Sequence, residues 1–348
     1  MKILYGIQGT GNGHITRARV MAECFKSMNI EVDYLFSGRP ADQYFDMDVF
    51  GEFQTRTGMS FITKSGRLNY RETAKQLKLG TFVRDVKSLN IKRYDMVFND
   101  FEPISAWAAK LAKVPVVAMS HQAAFLSPEV PLFGAGAMQR ALIRWFAPAD
   151  VFLGVHWQPF AKNIVPPFIA YHGAHQASIP NKVLVYLPFE DLNSIVELLG
   201  DFPDREFYCY HPDAMDQSIN HIHLRAPSRQ GFLEDLASAS GVVANAGFEL
   251  SSEALKYGKK LLLKPLQGQF EQQSNALTLE SLGLANVMNY LNSEALAEWL
   301  EYPEGQVIDF PSDATPLANW LAKGQWQDYS ALHDSLWHPI LENRNKVA

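Results

Sequence analysis

"YGIQGTGNGHITRA", residues 5–18, is where the fold of this chain is decided. It continues the apolar run begun by Ile3 and Leu4, sets Gly9, Gly11 and Gly13 at alternate positions, and reaches His14 as helical periodicity begins. Ile15, Ala18, Ala22 and Phe25 then mark one helix face. An apolar strand, a glycine turn and an amphipathic helix open a βαβ unit. The glycines allow another backbone or a ligand to come close. Their spacing, G-x-G-x-G-H, matches neither the dinucleotide fingerprint G-x-G-x-x-G nor the P-loop, which also needs a lysine.

Outward from this stretch, strand-like runs at 2–7, 31–36, 59–63, 94–99, 115–119 and 150–154 alternate with helical patterns at 14–28, 71–89, 103–113 and 135–146. Residues 155–181 lose periodicity and collect Pro159, Pro166, Pro167 and Pro180. Alternation then restarts, with strands at 182–187, 206–210, 220–224, 241–244 and 260–264 and helices at 190–199, 230–239, 249–257 and 270–281. From 293 onward the tail is helical and amphipathic. The pattern predicts an α/β protein of two doubly wound, Rossmann-like domains facing a central cleft. The expected boundaries are 1–160, 161–325, and a C-terminal helix at 326–348 packing back on the first domain.

Composition narrows the function. A chain of 348 residues exceeds one small core, in line with two domains. Apolar residues at 47% and charged residues at 20% are those of a globular rather than a disordered protein. A net charge of −6 with no basic block argues against a nucleic-acid partner. Cys24 and Cys209 are far apart, giving neither a disulfide framework nor a metal spacing, and a reducing, cytoplasmic setting is expected. No apolar run has signal or membrane-spanning length.

In the commonest doubly wound order the first and fourth strands are neighbours, and ligands bind where the loops after them diverge. That order brings His14 beside Asp100, which ends the run "YDMVFND". A carboxylate on one imidazole nitrogen holds the tautomer and stabilises the cation formed when the other nitrogen takes a proton. Imidazole, with an ordinary pKa of about 6.5, suits a general base near neutrality. The competing reading makes Asp100 the N-cap of the helix beginning in "FEPISAW".

"VVANAGFELSSEALKYGKKLLLKPLQGQFEQQSNA", residues 242–276, repeats the arrangement of strand, glycine and helix. Gly247 stands at the turn, where free N–H groups and the positive end of the helix dipole suit an anion. Phe248 follows it, Ser251 and Ser252 fall in the first helical turns, and Glu253 lies where a carboxylate can grip vicinal hydroxyls. Glu271 and Gln272 open the next helix, acid and amide side by side, as sugar hydroxyls require. The plainer alternative is an amphipathic helix with polar outer positions. "DMD" at 46–48 matches a manganese-binding D-x-D pattern but lies outside both expected clefts, the histidines His211, His221 and His223 lack a fourth ligand at fixed spacing, and no metal is expected. "PLFGAGAMQRALIRWFAPAD", residues 131–150, reads either as a helix on its own sheet or as one lying on a membrane surface.

With these motifs in order along nearly its whole length, the chain resembles glycosyltransferases of the two-Rossmann-domain (GT-B) type, family 1. It looks most like the lipid-linked N-acetylglucosaminyl transferases of peptidoglycan synthesis and a related prokaryotic group. "QGTGNGH" stands at their G-G-T-G-G-H, with His14 at the family's histidine and Asp100 at the aspartate that many members pair with it. Gly247, Glu253, "YGKK", Pro265 and "EQQSNA" match their second signature. The resemblance implies inverting, metal-independent transfer of a hexose or N-acetylhexosamine from a nucleotide-diphosphate sugar to an acceptor hydroxyl, uracil being the family's habit. It implies His14 as base oriented by Asp100, and Gly11, Asn12 and Gly13 at the substrate. It implies the Gly247 loop on the diphosphate, Glu253 on the ribose, and Glu271 with Gln272 on the donor sugar, with Phe248, Ser251 and Ser252 also expected among the substrate-binding residues. No further cofactor is implied. The acceptor would be lipid-linked or part of a cell-envelope glycan, met by peripheral contact with the inner face of the membrane. Two features depart from the family: "YLPFEDL" replaces the glycine-rich loop after the second domain's first strand, and "HLRAPSRQGF" lacks the base-stacking tryptophan of plant members. A sugar-nucleotide epimerase of the same fold and a non-catalytic sugar-nucleotide-binding protein stay open as alternatives.

Overall fold

The structure, a computed structural model, describes residues 1–59, 63–64, 67–68, 79–134, 136–170 and 177–347. They form two compact units. One takes the chain up to Ala170 and again from Phe310; the other takes the residues between, together with 63–64 and 67–68.

The chain opens with β1 (Lys2–Gln8), β2 (Glu31–Ser37) and β3 (Phe53–Arg56), followed by a separate antiparallel pair of β4 (Thr63–Lys64) and β5 (Arg67–Leu68). With β6 (Met96–Asp100), β7 (Val116–Ser120), β8 (Val151–Val155) and β9 (Ile164–Val165), the first unit builds a sheet in the order β3-β2-β1-β6-β7-β8-β9. Every pairing in it is parallel. Ile3, Leu4, Tyr5 and Ile7 are all fully buried, as a central parallel strand requires. Its helices are α1 (Asn12–Ser27), α2 (Leu79–Ser88), α3 (Pro103–Ala112), the one-turn α4 (His121–Ala124) and α5 (Gly136–Phe146).

The second unit has β10 (Ile179–Tyr186), β11 (Glu206–Tyr210), β12 (Gln217–Ile219), β13 (Ile222–Arg225), β14 (Ala239–Ala244), β15 (Lys260–Leu263) and β16 (Asn286–Val287). Their order is β12-β13-β11-β10-β14-β15-β16, parallel except for the edge strand β12. Helices α6 (Leu192–Gly200), α7 (Arg229–Ser238), α8 (Phe248–Lys256), α9 (Phe270–Ser281) and α10 (Ser293–Leu300) belong to it. Both sheets are doubly wound. The winding reverses between β1 and β6 in one, and between β10 and β14 in the other.

Several expectations need correcting. The third strand lies at Phe53–Arg56 rather than 59–63, because Phe53 packs edge-on against Phe36 of the neighbouring strand; residues 60–62 lie outside the described residues. The helix read at 71–89 is described only as α2, since 71–78 lie outside them too. The first unit keeps 161–170, because β9 pairs with β8 inside the proline-rich stretch. It also resumes at Phe310 rather than 326. The Ile169 N–H donates to the Pro311 carbonyl at 2.9 Å, seating α11 (Thr315–Lys323) on this unit, and Trp337 of α12 (Ser330–Val347) donates to the Ile164 carbonyl at 2.8 Å.

Helix α5 packs on its own unit. Ile143 and Phe146 are buried, Phe146 stacks on Phe101, Arg140 donates to the Phe125 carbonyl and Arg144 covers the Phe152 ring. Met138 and Trp145 remain exposed. Among the described residues no helix is long and apolar enough to cross a membrane.

Two buried imidazoles follow β7 and β8. His121 opens α4 and donates from Nδ1 to the Val155 carbonyl at 2.9 Å. His156 lies against it, ring centroids 5.3 Å apart, and accepts the Trp157 N–H on Nδ1. Burial first, then the neighbouring His121, push His156 well below the ordinary histidine range. Unfolded histidine titrates near pH 6.5, so above about that pH both states are neutral and the contribution to stability is complete. Below it the unfolded chain takes up a proton that the folded chain refuses, and stability falls. Urea unfolding at about pH 7.5 and about pH 5.5 should show the loss, up to about 1.4 kcal/mol per pH unit for this one proton. His156→Phe should flatten that slope; an unchanged slope would clear the histidine as its cause.

Candidate functional site

The first site sits at the carboxyl edge of β1 and β6, where Ile7 faces Asp100 in register. Gly11 is the N-cap of α1, in extended geometry and without a side-chain cap, and this places His14 in the first turn. His14 Nδ1 lies 2.8 Å from Asp100 Oδ1. Arg17, three residues on and therefore on the same helix face, clamps the same carboxylate. Its Nε donates to Oδ2 at 2.9 Å and one terminal nitrogen to Oδ1 at 3.0 Å. That terminal nitrogen is also 3.3 Å from His14 Nδ1.

Asp100 is fully buried and Arg17 only 2% exposed. Burial pushes the Asp100 carboxyl up, but the Arg17 charge, and after it His14, outweigh burial and hold it below the usual carboxylate range. An ionised carboxylate can only accept, so the proton between Asp100 and His14 sits on Nδ1. Nε2 then carries the lone pair, and no protein atom among the described residues bonds to it. The arrangement is that of a general base with its orienting carboxylate, the carboxylate itself steadied by a buried cation.

Asp100 is not a helix cap. Glu102 caps α3, accepting from the Ile104 and Ser105 N–H groups and from the hydroxyls of Ser105 and Ser37. Asn99 grips the Glu102 backbone from both sides, donating to its carbonyl and accepting its N–H. Between them Phe101 adopts φ +56°, a left-handed conformation that non-glycine residues hold only when their surroundings impose it. Asn99 and Glu102 thus turn the chain so that Asp100 is left to His14 and Arg17. Sequence reasoning missed all three supporting residues. Arg17 had a signal in its i+3 spacing from His14; the other two had none.

The rest of the glycine stretch divides by what each residue meets. A side chain at Gly9 would strike the Tyr44 ring, whereas one at Gly11 would meet nothing within 4 Å. Gly9 serves packing, and Gly11 leaves room. Asn12 is exposed, its Oδ1 accepting from Arg39 at 2.8 Å, and Gly13 occupies the first turn of α1.

The second site lies at the carboxyl edge of β14. Gly247 is the N-cap of α8, without a side-chain cap and with nothing within 4 Å of where a side chain would start. Gly247 itself offers no side-chain oxygen to the first turn of α8, and Phe248 is buried there. Asn275 of α9 donates to the Ala246 carbonyl at 3.0 Å, which draws α9 to this turn. Glu253 and Glu271 are half-buried, in the second turn of α8 and the first of α9. Three expected side chains point elsewhere. Ser251 and Ser252 are buried and donate back to the Gly247 and Phe248 carbonyls, both at 2.7 Å, because a serine inside a helix readily bonds the carbonyl four residues earlier. Gln272 Oε1 accepts the Leu266 N–H at 3.0 Å, holding the loop before α9.

No cluster of three or more His, Cys, Asp or Glu with metal-binding geometry occurs among the described residues. His211, His221 and His223 have separate partners, the Glu190 carbonyl, the Leu199 carbonyl and the Glu206 carboxylate.

Residues 1–302 match the family described as glycosyl transferase family 1. An uncharacterized glycosyltransferase of Methanosarcina acetivorans is 23% identical over 337 residues, covering 83% of this chain and 86% of its own. Among solved structures, LpCGTa in complex with UDP superposes with a TM-score of 0.59 at 12% identity, covering 96% of this chain and 97% of that one. MurG of Acinetobacter baumannii does so with a TM-score of 0.53 at 14% identity, covering 96% and 95%. At such identities the structures establish the GT-B fold alone. Taken with the match over residues 1–302, they make the chain a two-domain glycosyltransferase that belongs to glycosyl transferase family 1.

Proposed function

We propose that this glycosyltransferase moves a hexose or N-acetylhexosamine from a nucleotide-diphosphate sugar, UDP-linked by preference, to an acceptor hydroxyl with inversion and without a metal ion. His14 takes the acceptor proton on Nε2. Asp100 orients the ring and stabilises the imidazolium that forms. The second unit binds the donor, with the diphosphate on the start of α8, Glu253 on the ribose, and Glu271 on the sugar. As the bond from the anomeric carbon to the diphosphate oxygen breaks, helix N–H groups take up the charge developing on the leaving group. The observation that carries this reading is the chain Arg17–Asp100–His14, which fixes the tautomer and leaves Nε2 as an acceptor. The UDP held by a structural neighbour supports the choice of base. For the acceptor we infer a lipid-linked or envelope glycan, supported by exposed Phe133, Met138 and Trp145 on and beside α5, which suit peripheral contact with a membrane.

The test is His14→Ala. Turnover of the donor, by transfer or by slow hydrolysis, should fall about 10²- to 10⁴-fold, the usual contribution of a general base. A thermal-shift panel of UDP, GDP, dTDP and CDP should show the same ligand response in variant and wild type, about 2.7 kcal/mol at one hundred times the dissociation constant. Joint loss of turnover and nucleotide binding would take the base role away from His14.

A further inference from the structure

A charged cluster bridges the carboxyl edge of the second sheet. The loop after β10, "YLPFEDL", reaches strands on both sides of the point where the winding reverses. His211, just past β11, accepts the Asp213 N–H on Nδ1 and so donates from Nε2 to the Glu190 carbonyl at 3.1 Å. Lys264, just past β15, donates from Nζ to the Glu190 carboxylate at 2.6 Å. Asn245, just past β14, lies between them. Its amide nitrogen donates to the Lys264 carbonyl at 2.9 Å and is 3.5 Å from the same Glu190 oxygen. Glu190 therefore lies across the reversal between β10 and β14, where sheets of this kind take their ligands.

Three observations point to a ligand. First, Lys264 is tied to the start of α8 through its backbone. Its N–H donates to the Ala244 carbonyl at 2.8 Å, and the Asn245 carbonyl next along accepts the Gly247 N–H at 2.7 Å. Second, Asn245 is 5% exposed, and its Oδ1 has no hydrogen-bond partner among the described residues. Its two neighbours at the nitrogen are both acceptors, so the amide cannot turn to relieve this, and a buried polar atom in that state calls for a functional explanation. Third, the charges do not balance for the ligand proposed above. A helix N-terminus supplies roughly half a positive charge, short of what a diphosphate leaving group needs.

We propose that Lys264 is the cation for the donor's diphosphate, and that Glu190 is a stand-in anion, exchanged on Nζ for a phosphate oxygen when the donor binds. This rests on the reading that the second unit takes a nucleotide-diphosphate donor. It also accounts for the loss of the glycine-rich loop: a carboxylate holds the lysine in place until a phosphate replaces it. Once exchanged, Lys264 stabilises the charge that accumulates on the leaving diphosphate.

Calorimetric titration of the full chain with UDP, GDP and dTDP and their monophosphates tests this. For the diphosphate that binds wild type, Lys264→Met should lower affinity about tenfold or more, as loss of a charge-assisted hydrogen bond does, while the monophosphate changes less. Lys264→Arg should restore most of the difference. Glu190→Gln, which removes the competing charge but keeps a partner for the lysine, should raise diphosphate affinity severalfold. The double variant Lys264→Met/Glu190→Gln leaves no unpaired charge and should bind like Lys264→Met. Equal losses for di- and monophosphate, unchanged binding in Lys264→Met, or weaker binding in Glu190→Gln would each overturn the proposal. Wild type that binds none of the three diphosphates would instead defeat the donor reading beneath it.

Discussion

Asp100→Asn should lower donor turnover about 10³- to 10⁴-fold, the scale seen when the carboxylate behind a catalytic histidine is made neutral. An asparagine oxygen can still accept from one neighbour, but its amide nitrogen must face the other, and both Arg17 and His14 Nδ1 are donors here. The relief open to the site is the other histidine tautomer, which puts the proton on Nε2, the atom proposed to receive one. The same change should also destabilise the fold by about 3–5 kcal/mol, because it breaks the buried ion pair between Asp100 and Arg17. The double variant Asp100→Asn/Arg17→Met separates the two effects. Urea unfolding should recover most of the stability, while turnover stays low. An Asp100→Asn enzyme keeping more than about a tenth of wild-type turnover would exclude the carboxylate from the reaction, given the expected 10³-fold loss.

Gly247→Asp should split stability and binding in opposite directions. Gly247 has φ −74° and ψ 144°, a conformation open to any residue, with nothing near its missing side chain. Glycine is thus not demanded by the fold at this position. Aspartate is a favoured N-cap whose carboxylate accepts from the first helical N–H groups, so the variant should be a few tenths to about 1 kcal/mol more stable. Those same N–H groups are the proposed seat of the diphosphate. A tethered carboxylate would occupy them and repel the ligand, and nucleotide affinity should fall about 100-fold or more, roughly 2.7 kcal/mol. Paired thermal melts and nucleotide titrations check both halves. A variant that melts higher yet binds nucleotide normally would show that the start of α8 is not the anion site.

Much of the molecule is readable from its sequence for a simple reason. A strand enclosed by helices must be apolar throughout, and an amphipathic helix must repeat its apolar positions every three or four residues. Such constraints act within a few neighbouring residues, so β1, β2, β6, β7 and β8 and their counterparts β10, β11, β14 and β15 all announce themselves. The order of winding then follows from the preferred connection of parallel strands, and with it the meeting of His14 and Asp100. The two-residue strands β9 and β16 and the edge strand β12 leave no such trace, since pairing alone defines them. The third strand was misplaced for a related reason, because Phe53 is identified by its aromatic neighbours rather than by any alternation.

Sequence by itself determined the α/β class, the two doubly wound sheets, the glycine turn before each candidate site and the pairing of His14 with Asp100, all set by local periodicity and by the few ways parallel strands connect. Tertiary structure alone decided that Arg17 steadies Asp100 from 83 residues away, that Asn99 and Glu102 free it by taking the helix cap, that Ser251 and Ser252 turn back on their own helix, and that Glu190 meets Lys264 across the second sheet. These are partnerships between single polar groups, and a buried polar group can satisfy its charge with any suitable partner the fold brings near, so nothing in the residues beside it names which one it will be.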